Sequence, residues 1–505
     1  MSRRPRIKLI TIPWELEVPT LSLASLAAVT PEERFEVCIV DLLRERLVMD
    51  EPTDLVGITA STPSILAAYA LADMYRARGV KVVLGGHHAT AMPQEALLHA
   101  DAVVCGEGET SWMRILDHLL TDPGKVAGIY KDDPVDLATL PPPRLDLVKL
   151  DRYSRFSYPL VASRGCPEAC SFCFAKRMTF GYRTYPIASV IEQVRRRPAW
   201  VRSAFFVDDN LAGDLDYTRE LFRQLRPYGL PFAMQVRHEF SSNVEDLHLA
   251  RQAGCALISS GYESVNQASL DRVGKRANAS FYTELVTAIQ EAGIVASGNW
   301  MFGFDWDGPD VFAATWAHLQ ESKILHSSFT TEIPFPGTTT YKRYLREGRI
   351  LTTDYLRYRG RDEVVVSPKG MTPEQLRDGV RWITRQYYSL RHRRRLARWA
   401  ATLDLFPAFR GWTRSAVVAF LNYREVLLWQ SRMVPSFRWL ARRLTALNKY
   451  RFARDLLRGS NFWSQAHAPA EPTPRPMLAS ESPFLRQAGA MPPGAEKLVT
   501  QAAKA

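Results

Sequence analysis

Ser163-Arg164-Gly165-Cys166-Pro167-Glu168-Ala169-Cys170-Ser171-Phe172-Cys173-Phe174 is the stretch on which the reading of this chain turns. Six cysteines occur in 505 residues, and half of them fall between positions 166 and 173. Three thiolates so close in sequence can converge on one inorganic centre, and thiolate is the usual ligand of iron–sulfur clusters. Three ligands for a four-iron cluster leave one iron open, and an open iron can bind and activate a substrate. A structural zinc site asks for four ligands, often as two Cys-x-x-Cys halves. No second half follows, so zinc stands only as the rival reading. Cys38, Cys105 and Cys255 are isolated in apolar stretches and read as small buried hydrophobes. A disulfide framework belongs to short secreted chains with paired cysteines, which this is not.

Length suggests about three or four domains. A hydrophobic content of 46% with 11% aromatics is enough for sizeable cores. The chain opens Met1-Ser2-Arg3-Arg4-Pro5 and runs straight into the strand-like Ile7-Lys8-Leu9-Ile10-Thr11-Ile12, with no secretory signal pattern. No apolar run approaches the roughly 18 to 20 residues of a membrane span. The expected compartment is the cytoplasm, where thiolates stay reduced. A net charge of +12 favours acidic partners in general without naming one; no nucleic-acid-binding pattern accompanies it.

Upstream of the cysteines, strand and helix alternate. Val37–Val40, Leu55–Thr59, Val80–Leu84 and Ala102–Cys105 read as short apolar strands, with an amphipathic stretch from Ser64 to Arg78 between the second and third. This predicts a parallel sheet with helices on both faces. Ligands of such sheets bind outside the carboxyl ends of the strands. There lie Ser61-Thr62, then Gly85-Gly86-His87-His88 with Thr90, then Gly106-Glu107-Gly108-Glu109. Glycines in such turns let the backbone approach a bulky ligand closely. Pro141-Pro142-Pro143 holds an extended spacer. Beyond it a second βα series begins, with apparent strands at 160–162, 204–207, 232–235, 257–260, 296–301 and 328–332. Polar signatures close the later strands: Asp208-Asp209-Asn210, Gly261-Tyr262-Glu263 and Phe302-Gly303-Phe304-Asp305. Barrel enzymes place their reactive groups at those ends.

The Cys-x-x-x-Cys-x-aromatic-Cys spacing resembles the signature of the radical S-adenosylmethionine (SAM) enzymes, and the preceding turns resemble the cobalamin-binding domain found ahead of many of their barrels. The resemblance covers roughly residues 5 to 350 and is most specific at the cysteines. It implies a doubly wound, Rossmann-like cobalamin domain (1–140), a Pro-rich linker (141–157) and a partial (β/α)6 TIM-type barrel (158–350). A helical extension (351–463) and a disordered tail (464–505) complete the expected organisation. It implies Cys166, Cys170 and Cys173 as ligands of a 4Fe–4S cluster. It implies SAM beside Phe172, Asp208, Asp209, Asn210, Gly261, Glu263 and Gly303, and cobalamin beside Ser61, Thr62, Gly85, Gly86, His87, Thr90, Gly106 and Glu107. His87 and His88 have a purely structural role as the equal alternative. The Asp-x-His-x-x-Gly motif of histidine-ligated cobalamin proteins is absent: Leu42, Leu43, Arg44, Glu45 and Arg46 follow Asp41. Cobalamin without a histidine ligand is therefore expected.

The implied activity is methylation of an unactivated carbon, in which one SAM supplies a methyl group to cobalamin and another is cleaved to a 5′-deoxyadenosyl radical. Radical cyclisation or rearrangement without methyl transfer is the alternative among enzymes, and a corrinoid- and cluster-binding sensor the alternative of another class. A small-molecule, lipid or peptide substrate and an electron donor of the flavodoxin or ferredoxin type are the implied partners. No catalytic residue is assigned.

Further on, Thr372-Pro373-Glu374-Gln375 reads as a capping box that starts a helix. Arg391, Arg393, Arg394, Arg395 and Arg398 form a basic knot, and Met433, Phe437, Leu440, Leu444 and Leu447 an apolar helical stripe. Such basic helices can rest on an anionic membrane, giving peripheral contact, grip an acidic substrate, or pack on the barrel with their arginines solvated.

Overall fold

Apolar runs that end in small or polar turns produce two parallel sheets. The computed structural model describes residues 3–12, 18–154 and 158–400, with 402, 403 and 405; the stripe from Met433 to Leu447 and the expected tail 464–505 lie outside them. The first sheet contains β1 (Arg6–Thr11), β2 (Glu36–Asp41), β3 (Leu55–Thr59), β4 (Lys81–Gly85), β5 (Ala102–Val104) and β6 (Gly128–Tyr130). Its order is β2-β1-β3-β4-β5-β6 and every pairing is parallel. The three-residue β6 was not anticipated, because Gly-Ile-Tyr is too short to show a period.

Alternation along β1 sends side chains to two cores. Ile7 and Leu9 pack with Leu23, Ala24, Trp112 and Ile115, from the helices Leu21–Val29 and Glu109–Thr121. Ile10 faces the other way, with Ile58, Leu84 and the helix Ile65–Arg76. Tyr355, Tyr358 and Val365, from the chain beyond the second sheet, complete that second core. Cys105 and Cys255 are buried as expected, but Cys38 is exposed. The reason is its place on β2, an edge strand with solvent on its outer side.

The second sheet holds β7 (Tyr158–Leu160), β10 (Ala204–Phe206), β11 (Phe232–Gln235), β12 (Cys255–Glu263), β13 (Val295–Phe302) and β14 (His326–Thr331). Its order, β14-β13-β12-β11-β10-β7, is that of an open six-stranded barrel wall. The first strand ends at Leu160, two residues before the sequence reading placed its end. The chain turns there, and the amides of Ala162 and Ser163 donate to the Asp208 carboxylate rather than to a neighbouring strand. A separate two-stranded antiparallel ribbon, β8 (Ser163–Arg164) with β9 (Arg183–Thr184), brackets the cysteine loop.

The predicted capping box is present. Thr372 Oγ1 accepts from the Gln375 amide at 3.1 Å, and the Gln375 side chain accepts from the Thr372 amide at 2.8 Å. The helix Pro373–Tyr387 packs behind β14, where the Tyr387 hydroxyl donates to the Ile324 carbonyl. In the helix Leu390–Ala400, Arg393 is buried against Tyr387 and Tyr388, while Arg391, Arg394, Arg395 and Arg398 face solvent. Among the described residues no helix is long and apolar enough to cross a membrane.

Candidate active site between the two sheets

The carboxyl ends of both sheets meet at the cysteine loop. Gly165 opens the loop with φ +83°, and a side chain there would strike the Gly181 backbone, so the loop's two ends are held together. Cys166, Cys170 and Cys173 lie close enough that each of the last two feels the charge of the cysteines before it. Desolvation raises all three thiols, Cys173 to about 11. At Cys170 the cations of Lys275 and Arg237 oppose that rise. Among the described residues no three His, Cys, Asp or Glu side chains converge on a single ion. Thiols are the usual ligands of iron–sulfur clusters, in which each iron corner takes a separate ligand.

Three groups mark the wall of a cleft. Cys173, Asp209 and His87 are all solvent-exposed, yet desolvation displaces each pKa, raising Cys173 and Asp209 and lowering His87. Exposed groups that are still desolvated have protein packed close around them, and all three lie at the carboxyl ends of the two sheets, bordering the space between them. Asp209 is near enough to Cys166 and Cys173 to act on both electrostatically. The His87 ring lies 5.4 Å from that of Phe174, immediately after the last cysteine. The Gly85–His87 turn of the first sheet therefore faces the cysteine loop across the cleft.

The residues expected around SAM divide by orientation. Asp209 opens to the cleft. Its neighbour Asp208 is buried and turned inward: it accepts from the Ser163 hydroxyl at 2.6 Å and from the Ala162 amide at 3.1 Å, and burial pushes its pKa up to about 7. Asn210 is buried too and accepts from the Arg237 amide at 3.3 Å. Glu263 has φ +63° at a register shift in β12 and pairs with Lys275 at 3.4 Å. Gly261 leaves room for the Glu263 carboxylate, which a side chain there would displace. Phe172 lies 6.1 Å from Phe304. Gly303, at φ +102°, has its bare side against Leu376, where a Cβ would come within 2.7 Å, and its amide donates to Asp307.

The turns of the first sheet divide in the same way. Gly86 has φ +94°, and a Cβ would come within 2.7 Å of Thr59 Oγ1, so the fold itself demands glycine. Gly85 is different: its nearest neighbour would be the Val104 carbonyl at 3.9 Å, leaving the space that close approach of a ligand needs. Ser61 caps a short 3-10 turn through Ser64. Thr62 is buried, its hydroxyl 3.2 Å from His88 Nδ1, while His88 Nε2 meets Glu95 at 3.1 Å. His87 and His88 open a helix, His87–Ala91. Successive helical residues differ by about 100° in direction, which sends one histidine out and the other in. Thr90 accepts from the Gly106 amide at 2.9 Å, and the Glu107 carboxylate is held by Arg164 and Arg183.

Sequence reading missed several participants. Lys275 and Arg237 carry the positive charge beside Cys170, yet nothing in a lone cation's context reveals it. Glu332, just beyond β14, is fully buried, with burial raising its pKa to about 8 and the Tyr344 hydroxyl donating to it. Its place at a strand end was the one available signal.

Comparison with known proteins agrees with this architecture. Residues 7–116 match the B12 binding domain and residues 160–307 the Radical SAM superfamily. The bacteriochlorophyllide d C-12(1)-methyltransferase of Chlorobaculum tepidum is 29% identical over 348 residues, 66% of this chain and 75% of that protein. The C-8(2)-methyltransferase of the same organism is 26% identical over 365 residues, 69% of this chain and 81% of that protein. The structure of the radical SAM methyltransferase TsrM from Kitasatospora setae, with cobalamin and a [4Fe-4S] cluster bound, shares the fold. It has a TM-score of 0.57 and 17% identity, over 68% of this chain and 75% of that one. The two matched domains imply cobalamin, a 4Fe–4S cluster and SAM as cofactors. This chain thus joins a B12-binding domain to a radical SAM domain and is homologous to the cobalamin-dependent radical SAM methyltransferases.

Proposed function

We propose that the chain is a cobalamin-dependent radical SAM enzyme that methylates a carbon of a small molecule. The observation that carries this reading is the approach of the two strand ends: the His87 ring of the Gly85–His87 turn lies 5.4 Å from Phe174, next to the last cysteine of the Cys166–Cys173 loop. When bound, SAM at the cluster supplies a radical able to remove hydrogen from carbon, and cobalamin supplies a methyl group. The protein's part is placement, since a carbon held within reach of both reacts selectively only through enforced proximity.

In this reading Cys166, Cys170 and Cys173 hold the cluster. Lys275 and Arg237 offset the negative charge that gathers around Cys170. Asp209, open to the cleft and beside two of the cysteines, is the carboxylate suited to SAM's ammonium group, and Glu263 the second carboxyl in range of Cys170. Gly85 leaves room for the corrinoid, and His87, held neutral by desolvation, lines the cleft beside it. Buried Asp208, Thr62 and His88 support the loops from behind. An electron donor of the flavodoxin or ferredoxin type would reduce the cluster.

The test is anaerobic incubation of reconstituted protein with SAM, hydroxocobalamin and a low-potential reductant. 5′-Deoxyadenosine is expected in the wild type and not in a Cys166→Ala, Cys170→Ala, Cys173→Ala variant, with S-adenosylhomocysteine formed only when cobalamin is present. Deoxyadenosine without any cobalamin-dependent S-adenosylhomocysteine would point away from methyl transfer.

A further inference from the structure

The ribbon that closes the cysteine loop contains an apparent mistake. In the antiparallel β8–β9 register, Arg164 stands directly opposite Arg183. Like charges in that relation repel and destabilise the pair. Neither strand supplies a carboxylate to separate them. The other sheet does. Glu107, in the turn that follows β5, bonds to both: Arg164 Nη1 donates to it at 2.9 Å, and Arg183 Nη2 donates to its other oxygen. Glu109 takes the rest of Arg164, at 2.6 and 3.1 Å, and the Arg164 Nε donates to Tyr185 at 2.9 Å. Both glutamate side chains are only 6% exposed. Two carboxylates and two guanidiniums balance, so removing one member strands a buried charge.

Position gives this network its meaning. Arg164 is two residues before Cys166, and Arg183 closes the same loop after Cys173. Glu107 adjoins Gly106, whose amide donates to Thr90 on the cobalamin-facing side of the first sheet. We propose that Glu107 is a positioning residue: it latches the base of the cysteine loop to the turn bordering the corrinoid site, so that filling either cofactor site tightens the other. The latch is independent of the cofactors, whereas its coupling role rests on the function proposed above.

Hydrogen exchange on cofactor-free protein tests the latch. Glu107→Gln should raise exchange across residues 163–185 about tenfold, as local opening becomes easier, while β1, β3 and β4 keep wild-type rates. Adding Arg183→Gln to Glu107→Gln removes the repulsion and should restore protection, a non-additivity expected of residues in direct contact. Unchanged exchange in Glu107→Gln overturns the latch, as does a double variant no better protected or no better folded than the single one.

Hydroxocobalamin titration with and without the reconstituted cluster tests the coupling. The wild type should bind about tenfold tighter with the cluster, within the usual range of site–site coupling, and Glu107→Gln equally in both states. Equal affinities in the wild type, or a Glu107→Gln loss of the same size in both states, would overturn the coupling; the second result would mark Glu107 as a direct corrinoid contact. A wild type that binds no hydroxocobalamin in either state refutes the proposed function, and with it the coupling, while hydrogen exchange still decides the latch.

Discussion

The glycine turn after β4 and the cysteine loop after β8 face one cleft, and they are built on opposite plans. The loop offers side chains: three thiols that can bond to metal, with Asp209 beside them. The turn offers backbone and space. Its polar neighbours Thr62, His88 and Thr90 are turned inward onto one another, onto Glu95 or onto Gly106, and only His87 reaches out. In the proposed function one region would hold its cofactor by bonds and the other by shape. Substitutions should therefore fail in different ways on the two sides.

The sharpest contrast concerns the cysteines. Replacing Cys166, Cys170 or Cys173 with alanine should abolish SAM cleavage, a loss of 100-fold or more on the order expected when a metal ligand goes. Cys38, Cys105 and Cys255 are far from the loop in sequence and sit on other strands or turns, and their alanine variants should retain iron. Iron and sulfide analysis together with deoxyadenosine yield decides the matter.

On the glycine side two adjacent residues should part company. Gly86→Ala forces a side chain into a left-handed backbone and against Thr59 Oγ1, and should cost about 1–3 kcal/mol of stability. Gly85→Leu places its Cβ at ordinary contact distance, 3.9 Å from the Val104 carbonyl, so folding should survive while hydroxocobalamin affinity falls about tenfold or more. Thermal melts and a corrinoid titration separate the two effects. Equal behaviour at both positions would erase the distinction between fold-required and ligand-required glycine.

Asp208 and Asp209 make the same point within one strand end. Asp208→Ala removes the acceptor of the Ala162 and Ser163 amides and should destabilise by about 1–3 kcal/mol. Asp209→Asn should leave the melting temperature alone and weaken SAM binding, read by calorimetry on the reconstituted protein.

The smallest effect is one of pH. Burial raises the Glu332 pKa from 4.5 to about 8 in the folded protein. The native state then holds a proton that the unfolded chain has released, so this group's contribution falls as pH rises from about 4.5 to 8 and levels off above that. Glu332→Gln should flatten the decline, recovering up to about 2 kcal/mol between pH 6 and 8, as denaturant melts across that range would show.

Much of this organisation was legible before the structure. Short apolar strands with polar ends located both sheets, because period and turn chemistry are local properties. The cysteine loop was legible because its residue type has few other uses at that spacing. Orientation was not. Asp208, Asp209 and Asn210 look alike in sequence, yet one opens to the cleft and two are buried, which depends on the strand twist and on where Ser163 and Arg237 arrive. His87 and His88 were likewise inseparable until a helix began between Gly86 and His87. Glu107 stands in a turn that the resemblance assigns to cobalamin, but its partners Arg164 and Arg183 come from more than 50 residues away. No local pattern announces a contact of that kind.

In the proposed function both cofactor sites open on one cleft. Electron paramagnetic resonance of protein carrying Co(II) cobalamin and the reduced cluster together tests it most directly. Each paramagnet should broaden or split the other's signal in the doubly loaded protein, relative to samples carrying one centre alone. A doubly loaded spectrum equal to the simple sum of the two single spectra would contradict it.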